Sequence, residues 1–335
     1  MNKVPKVSVL IPVYNGAGVI GETLNCIFGQ DFKDYEVVIV DDTSTDNSEE
    51  VIKSISDPRV RYFRNPQNLG YSRNLEECRT KARGDILFLM GQDDILAKGA
   101  LKKTIAWFDD PEIGAVTRPY FWFHDDPQKP VRAKKQFSSQ KDEILSITDG
   151  PKTLVNVLDP LDQLSGLAYR VEFMDCGFHE DIFPCHIYPF LSIFKRHEIV
   201  FLRDYTIAVR IASSQTRSIS SIYKKSPIQT WVDMINSVLC EDRFVEFRRY
   251  AIENFIAKNY VGLVQIRNYG RYRWLLREIY LLLKYRWQNL FSPAFWFFSL
   301  GCMVIPPALL IPLVDWYKNS VNSQRFGNIK FEYEL

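Results

Sequence analysis

Two pairs of adjacent carboxylates are the residues whose types and spacing most suggest chemistry. They are Asp41–Asp42 and Asp93–Asp94, the second directly after Gln92. Neighbouring carboxylates repel each other, so each pair needs hydrogen-bond donors or a cation close by. At the carboxyl end of a strand, an aspartate of the first pair can accept hydrogen bonds from a ribose or a base N–H. The oxygens of the second pair suit Mg²⁺ or Mn²⁺, which also bind phosphate oxygens and can neutralise a diphosphate leaving group. The alternative for both pairs is a turn that caps the following helix.

The elements that must position these pairs alternate along the first third of the chain. Apolar runs predict strands at 6–13, 35–40, 59–64, 85–90 and 113–121. Amphipathic segments between them predict helices, so we expect an α/β fold with a Rossmann-like, mostly parallel sheet and flanking helices. Ligands on such sheets bind beyond the carboxyl ends of the strands, where both acidic pairs lie.

The rest of the chain has a different pattern. Residues 125–150 are polar and rich in lysine, which predicts a flexible loop or flap. A helix is expected from Gly177 to Phe194, and a strand pair or one long strand over 199–211. After about residue 226 only helices are predicted, over 229–240, 243–266 and 271–290.

Five motifs between residues 7 and 96 resemble the family 2 glycosyltransferases, which are inverting enzymes that use nucleotide sugars and have the GT-A fold. The motifs, in family order, are Val7–Asn15, Val37–Asp46, Asn68–Asn74, Ala82–Asp85 and Gln92–Leu96. Weaker similarity extends to about Ser214. The resemblance implies a GT-A domain over 1–223, divided into a nucleotide-sugar-binding half (1–122) and an acceptor and catalytic-base half (123–223). A helical, membrane-associating region would follow over 224–335.

Carried over by position, the resemblance implies residue roles. The nucleotide-sugar-binding residues would be Pro12, Tyr14 and Asn15 in the nucleotide pocket, Asp41 at the nucleobase, Asn68 and Arg73 on the nucleotide, and Gln92 near the ribose. Asp93 matches the final aspartate of the metal-binding DxD motif, with Asp94 as a further ligand of Mg²⁺ or Mn²⁺. Two departures are Gly91, which replaces the first aspartate, and Gly70–Asn74, which is shorter than the usual motif.

The catalytic base is expected from the second half of the domain. Inversion needs in-line attack by an acceptor hydroxyl, and a carboxylate must take its proton. Glu180–Asp181 matches the acidic pair that family members place at the start of a helix, so Asp181 is predicted as the base and Glu180 as the alternate. The competing interpretation is a carboxylate stabilised by the helix dipole.

Two further sets of polar residues are candidates for roles in the site. His179 and His186 flank the Glu180–Asp181 pair, but without metal-ligand spacing they are expected to be surface or satisfied histidines instead of zinc ligands. Arg210 with Ser213–Ser214 ends a strand where family members often carry a diphosphate clamp. Arg210 is therefore predicted as a possible diphosphate contact.

The C-terminal third suggests a membrane surface. Residues 224–288 hold 12 basic and 6 acidic side chains, and residues 287–314 contain no charged residue. The 271–290 helix would place Arg273, Arg277 and Lys284 on one face opposite leucines, as in an interfacial helix. Its alternative is a core-facing helix. Since Pro306–Pro307 splits the uncharged run, an interfacial or re-entrant hairpin is favoured over a kinked span, and residues 271–314 are predicted to contact the membrane surface.

The expected function is transfer of a single sugar from a nucleotide diphosphate-sugar, with UDP favoured, to a hydroxyl of a lipid-linked acceptor or polysaccharide precursor. A net charge of +2 over 335 residues argues against a nucleic-acid partner. Six cysteines without a CxxC pair and no signal peptide predict the cytoplasm, at the cytoplasmic face of the membrane. Gly270 stands where processive synthases have glutamine before Arg273–Trp274, so no polymer synthase is predicted.

Two alternative functions remain. Gly91 in place of an aspartate would suit a non-catalytic, membrane-associated scaffold that binds nucleotide sugars. A sugar-phosphate nucleotidyltransferase would need a basic residue in its N-terminal glycine loop. Residues 13–18 lack one, which disfavours that alternative.

Overall fold

The fold is seen in a computed structural model that describes residues 4–211, 220–317, 326 and 328–334. Its strands are β1 (Val7–Val13), β2 (Tyr35–Asp41), β3 (Val60–Arg64), β4 (Ile86–Leu89), β5 (Ile95–Leu96), β6 (Ile113–Thr117), β7 (Phe121–Phe123), β8 (Arg132–Ala133), β9 (Glu143–Leu145), β10 (Ala168–Arg170), β11 (Glu198–Phe201) and β12 (Ile207–Arg210). Its helices are α1 (Ile20–Phe28), α2 (Ser48–Ser54), α3 (Tyr71–Lys81), α4 (Ala100–Ile105), α5 (Pro151–Leu158), α6 (Ile187–Phe194), α7 (Pro227–Val238), α8 (Val245–Asn254), α9 (Gly262–Tyr269), α10 (Tyr272–Tyr285), α11 (Pro293–Val304) and α12 (Pro307–Trp316).

The strands form two sheets. The larger has the order β3-β2-β1-β4-β10-β6-β11-β9, and its first four strands run parallel. Strand β10 is antiparallel to both neighbours. Every residue of β1 and β2 is buried, as expected of strands covered on both faces. The smaller sheet, β5-β12-β7-β8, stands beside it. The predicted α/β class is confirmed, and the sheet is mixed, with parallel pairing concentrated in its first four strands.

The boundaries differ from the prediction where proline or tertiary hydrogen bonds intervene. Residues 125–150 were expected to be a flap without regular structure, yet they contain β8 and β9. The helix expected from Gly177 begins only at Ile187. Pro184 disfavours helical geometry in the residue before it, and its carbonyl accepts the first bond of the shortened helix from the Ile187 amide at 2.8 Å.

The helix predicted over 243–266 is also broken, between α8 and α9. The buried side chain of Asn289 donates to the Ala257 carbonyl at 2.9 Å, which supplies a tertiary partner for this carbonyl. The Gly262 amide then donates to the Asn259 side chain at 3.2 Å, at the start of α9. Side-chain hydrogen bonds, one from distant Asn289 and one from nearby Asn259, thus replace helical ones at this bend.

The C-terminal helices share a core with the sheet. One cluster of buried side chains runs from Leu10 and Phe190 to Met234, Leu275 and Phe295 without interruption. Helix α10 contributes buried Trp274, Leu275, Leu281 and Leu282 to it. Most of its apolar face therefore packs inside the molecule, which is the core-facing alternative for this helix.

The uncharged run over residues 287–314 is divided into two helices, as predicted from its prolines. Helices α11 and α12 have 12 and 10 residues and are separated by Ile305–Pro306. At about 1.5 Å per residue both are shorter than the ~30 Å hydrocarbon core of a bilayer. Among the residues described, no helix combines the length and apolarity that crossing a membrane requires.

Candidate active site

The candidate site lies beyond the carboxyl ends of β1, β2 and β4, as the parallel arrangement requires. Here the Gln92 side-chain amide pairs with the backbone of one residue in the loop after β1. The Tyr14 N–H donates to Gln92 Oε1 at 2.9 Å, and Gln92 Nε2 donates to the Tyr14 carbonyl at 3.1 Å. Asn15 has φ of +50°, a left-handed conformation that asparagine tolerates. Gln92, predicted near the ribose, therefore shapes the loop that holds Tyr14 and Asn15.

The first acidic pair is buried and fully supplied with donors. Oδ1 of Asp41 accepts the Ser44 amide at 2.8 Å, and Oδ2 accepts the Tyr62 hydroxyl at 2.9 Å and Arg64 Nη1 at 3.0 Å. Asp42 accepts the Leu69 and Gly70 amides and the Asn65 side chain, each at 2.8 Å. The donors expected beside two adjacent carboxylates are present. Asp42 fixes the loop before α3 instead of capping α2.

Asn68 and Arg73 lie on that loop and helix. The Asn68 side chain donates to the Asp42 carbonyl at 3.1 Å. Arg73 Nη2 donates to Glu180 Oε1 at 2.9 Å, and both side chains are exposed. The predicted nucleotide contact and the alternate base therefore form a surface ion pair across the mouth of the site.

The second acidic pair is asymmetric. Asp94 is 1% exposed, and its Oδ2 accepts the Gln163 side chain at 2.9 Å and the Ser165 hydroxyl at 2.5 Å. Its Oδ1 accepts the Arg210 amide at 3.1 Å. Burial, followed by the neighbouring Asp93 charge, raises the Asp94 pKa well above its ordinary value.

The structure also explains Gly91. A Cβ at this position would lie 2.8 Å from Asp94 Oδ2 and 3.2 Å from Ser165 Oγ. The first aspartate of the usual motif cannot be placed there while Asp94 points inward. Gly91 and the buried Asp94 are therefore two parts of one arrangement.

One of the carboxylates that line the central cavity, Asp93, fits a divalent cation. Among the described residues, no three His, Cys, Asp or Glu side chains converge as a metal cluster. Asp94 already accepts protein donors on both oxygens, so the geometry argues against it as a ligand. Asp93 lies on the wall of the central cavity. Because Mg²⁺ is commonly held by one or two carboxylates with water and substrate phosphates, Asp93 fits such a site.

Arg210, at the end of β12, faces this cavity. Its side chain is only 11% exposed, and its Nε donates to the Asp93 carbonyl at 3.1 Å. Its Nη2 pairs with Glu22, and its guanidinium lies 4.8 Å from the centre of the Phe123 ring. A buried cation beside Asp93 is chemically suited to a diphosphate. Ser213–Ser214 lie outside the described residues.

The predicted base, Asp181, lies in a loop instead of at a helix terminus. The His179 amide closes this loop by donating to the Cys185 carbonyl at 3.1 Å. Asp181 Oδ2 accepts the Tyr188 hydroxyl at 3.1 Å, and Oδ1 pairs with Lys225 Nζ at 3.0 Å. Since α6 starts six residues later, the helix-dipole alternative does not apply to Asp181.

Both histidines are satisfied, as expected. His179 stacks on the Tyr188 ring with centroids 4.0 Å apart. His186 is buried, with Nε2 2.8 Å from the Leu161 carbonyl and Cys185 Sγ 3.7 Å from Nδ1. Burial lowers its pKa to about 4.

The central cavity, which we call the donor cavity, has a volume of about 250 Å³. Its lining includes Pro12, Tyr71, Gly91, Gln92, Asp93, Asp94, Asp162, Gln163, Ile182, Phe183, His186 and Arg210. Sequence reasoning missed Asp162, Gln163 and Ser165. They follow α5 in a short segment without a motif, and only the fold brings Gln163 and Ser165 to Asp94 and Asp162 to the same cavity.

The comparisons with known proteins agree with this geometry. Residues 8–159 match the family model described as glycosyl transferase family 2, which confirms the resemblance predicted from the motifs. Over 101 residues the chain is 35% identical to the GalNAc(5)-diNAcBac-PP-undecaprenol beta-1,3-glucosyltransferase of Campylobacter jejuni, a match that covers 29% of this chain and 32% of that enzyme.

Two solved structures share the fold. TarS 1–349 from S. aureus has a TM-score of 0.62 at 16% identity, with 98% of this chain and 99% of that one covered. The mannosyltransferase PcManGT from Pyrobaculum calidifontis, solved with GDP-Man and Mn²⁺, has a TM-score of 0.54 at 18% identity, with 94% and 87% covered. The predicted GT-A fold is confirmed.

Proposed function

We propose that this protein transfers one sugar from a nucleotide diphosphate-sugar to an acceptor hydroxyl with inversion. The observation that carries the proposal is the donor cavity. Its lining includes Asp93 and Arg210 together with Ile182 and Phe183, which directly follow Asp181. This supports a diphosphate site near a carboxylate able to accept a proton, which are the two requirements of in-line glycosyl transfer.

On the donor side, Asp93 would hold Mg²⁺ or Mn²⁺ together with phosphate oxygens. The cation would supply charge neutralisation for the departing nucleotide diphosphate. Arg210 adds a fixed positive charge with little conformational freedom, because Glu22, the Asp93 carbonyl and the Phe123 ring already hold it. Asp41 and the Tyr14–Asn15 loop would hold the nucleoside. Relatives solved with UDP-GlcNAc and GDP-Man support a nucleotide-sugar donor, and UDP remains our favoured nucleotide.

On the acceptor side, Asp181 would take the proton of the attacking hydroxyl. Its carboxylate is oriented by the Tyr188 hydroxyl and held near the positive charge of Lys225. Glu180, which is exposed and paired with Arg73, is the weaker choice as base. Attack from the Asp181 side, opposite the departing diphosphate, would invert the anomeric carbon.

The acceptor is proposed to be lipid-linked or a polysaccharide precursor at the cytoplasmic face of the membrane. Helices α11 and α12 carry exposed Phe297, Leu300, Val304, Leu309 and Leu313. Large apolar patches of this kind mark interaction surfaces. The Campylobacter relative is named for an undecaprenyl diphosphate-linked acceptor, which supports the same class here.

The test of the base is Asp181→Asn, assayed with a panel of nucleotide sugars and membranes of the producing organism as acceptor. We expect kcat for transfer to fall by about 10²-fold or more while nucleotide-sugar binding is kept, since general-base loss acts on the chemical step. Asp242→Asn removes an exposed carboxylate on another surface and is the matched control. Normal transfer by Asp181→Asn would refute the assignment of the base. Nucleotide-sugar binding without turnover by the unaltered protein would favour the scaffold alternative.

The metal proposal is tested by thermal shift with UDP-sugar, with and without Mn²⁺. A ligand that binds only the folded protein raises its melting temperature. We expect Asp93→Asn to lose the Mn²⁺-dependent part of the shift. Asp94→Asn should keep that part, because the Asp94 oxygens are turned to protein donors. The reverse result would make Asp94 the ligand.

A further inference from the structure

We propose that the donor cavity opens into a saccharide-binding groove between the smaller sheet and the C-terminal helices, and that this groove holds an acceptor of at least two sugar rings. The inference rests on the proposed function and concerns its acceptor. We call the second region the acceptor groove and define it by Trp122, Arg132, Asp162 and Trp231.

The first support is continuity. The donor cavity of about 250 Å³ shares Asp162, Gln163, Phe183 and Arg210 with a second cavity of about 370 Å³. The second cavity shares the four defining residues of the groove with a third of about 600 Å³. Small-ligand sites typically measure roughly 300–1,000 Å³, so the space beyond the donor cavity is large enough for a ligand of its own.

The second support is a pair of tryptophans. Trp122 and Trp231 line both cavities of the groove, and each is only partly buried. The Arg132 guanidinium lies 3.4 Å from the centre of the Trp122 ring, and Trp231 meets the Phe255 ring edge-on with centroids 5.4 Å apart. Both rings are thus held in place before a ligand arrives. A rigid aromatic face matches the apolar C–H face of a pyranose. Burying that sugar face against a tryptophan ring stabilises the complex.

The third support is Asp162, which lines all three cavities. Its Oδ1 accepts the Tyr120 hydroxyl at 2.5 Å and its Oδ2 pairs with Lys134 Nζ at 3.2 Å. The side chain is still 45% exposed, and a carboxylate has about four acceptor positions, so capacity remains for sugar hydroxyls. A fixed carboxylate between two tryptophans and the donor cavity would set the orientation of the acceptor.

The groove has walls from both parts of the chain. Trp122 and Arg132 stand on β7 and β8, whereas Trp231 stands on α7 and the opposite rim follows residues 259–266. The C-terminal helices would therefore take part in acceptor choice in addition to any contact with the membrane. A single monosaccharide would leave most of this surface unused.

The test separates the acceptor from the donor. Donor hydrolysis by water, measured without acceptor, depends on the donor cavity alone. Transfer to size-fractionated saccharides released from the producing strain's own surface polysaccharide also depends on the groove. For Trp231→Leu and Trp122→Leu, which lie outside the donor cavity, we expect kcat/KM for a tetrasaccharide to fall about tenfold or more, with hydrolysis changed less than about twofold. Trp107→Leu, at a partly buried tryptophan outside the groove, is the matched control.

A measurement of saccharide binding tests the acceptor groove without requiring turnover. In isothermal titration of the unaltered protein, affinity should rise from mono- to tetrasaccharide, and Trp231→Leu should abolish that rise. Affinity that does not grow with saccharide length overturns the groove, even if transfer occurs. So does a Trp231→Leu variant that behaves like Trp107→Leu. If the unaltered protein catalysed neither donor hydrolysis nor transfer, that result would instead refute the proposed function.

Discussion

Among single residues, neighbours of the same type differ sharply because of their surroundings. Asp93 and Asp94 are adjacent, yet only Asp94 is enclosed by Ser165, Gln163 and the Arg210 amide. Burial raises the pKa of Asp94. Through these hydrogen bonds, Asp94 holds the end of β12 against the site. Asp93 faces the donor cavity and is the carboxylate that we propose for a cation.

A buried histidine gives a prediction at the same scale. Burial holds His186 neutral in the folded protein, with a pKa of about 4 against an ordinary 6.5. The unfolded chain therefore takes up a proton between these values that the folded chain refuses, and the free energy of unfolding should fall as pH drops from about 6.5 to 4. The contribution is on the order of 3 kcal/mol. Urea unfolding across this range should show it.

The control for this prediction is His186→Gln, which removes the titration but keeps a donor for the Leu161 carbonyl. Asp162, whose charge acts on His186, is present in both proteins, so the measured quantity is the difference between the two pH profiles. Parallel profiles for the two proteins would contradict the buried-neutral histidine.

At the scale of elements, the C-terminal helices divide into packed and exposed ones. Helix α10 buries Glu278, whose carboxylate accepts the Ser226 hydroxyl at 2.7 Å and the Ile228 amide at 3.2 Å at the start of α7. It also donates through Arg277 to the Tyr223 carbonyl at 2.9 Å. Helices α11 and α12, by contrast, leave large apolar side chains in solvent. The proposed membrane contact is therefore assigned to these two helices.

This assignment predicts the behaviour of a charged double variant. Phe297 and Leu309 are 75% and 65% exposed, so Phe297→Glu with Leu309→Glu should leave folding intact. Binding to phosphatidylglycerol vesicles, measured by co-flotation, should fall at least about tenfold, because each lost apolar contact weakens interfacial binding and each new charge is repelled. Val245→Glu, at a 52% exposed valine on α8, should not change it. Equal loss in both variants would contradict the assignment.

At the scale of the whole molecule, residues near the C-terminus pack against the first part of the chain. Phe331 is 3% exposed and packs edge-on against Phe121, with ring centroids 5.0 Å apart. The Lys98 amide donates to the Glu332 carbonyl at 2.8 Å, and Gln128 Nε2 donates to the Phe331 carbonyl at 2.7 Å. Together with the shared core, this contact makes the helical region part of one packed body. The proposed boundary at 223/224 stays a prediction.

The return contact predicts a stability change far from the helices. Phe331→Ala should destabilise the protein by about 3 kcal/mol, since it removes a buried aromatic ring and leaves a cavity. Thermal unfolding should show a lower melting temperature, while Glu332→Ala, at an exposed side chain in the same segment, should change little. A Phe331→Ala variant as stable as Glu332→Ala would mean that this segment does not support the domain.

The sequence by itself determined the sheet and the motifs at its edge. Buried parallel strands need continuous apolar runs, and the chain leaves each run at the same edge, so β1, β2, β4 and the acidic pairs could be predicted from local pattern. The Pro306–Pro307 break could be predicted as well, because proline acts on its own backbone. Only the tertiary structure decided which atoms face the ligand. The inward turn of Asp94, the pairing of Gln92 with Tyr14, the joining of Asp162 to two tryptophans and the return of Phe331 all depend on contacts between distant segments, which no local pattern encodes.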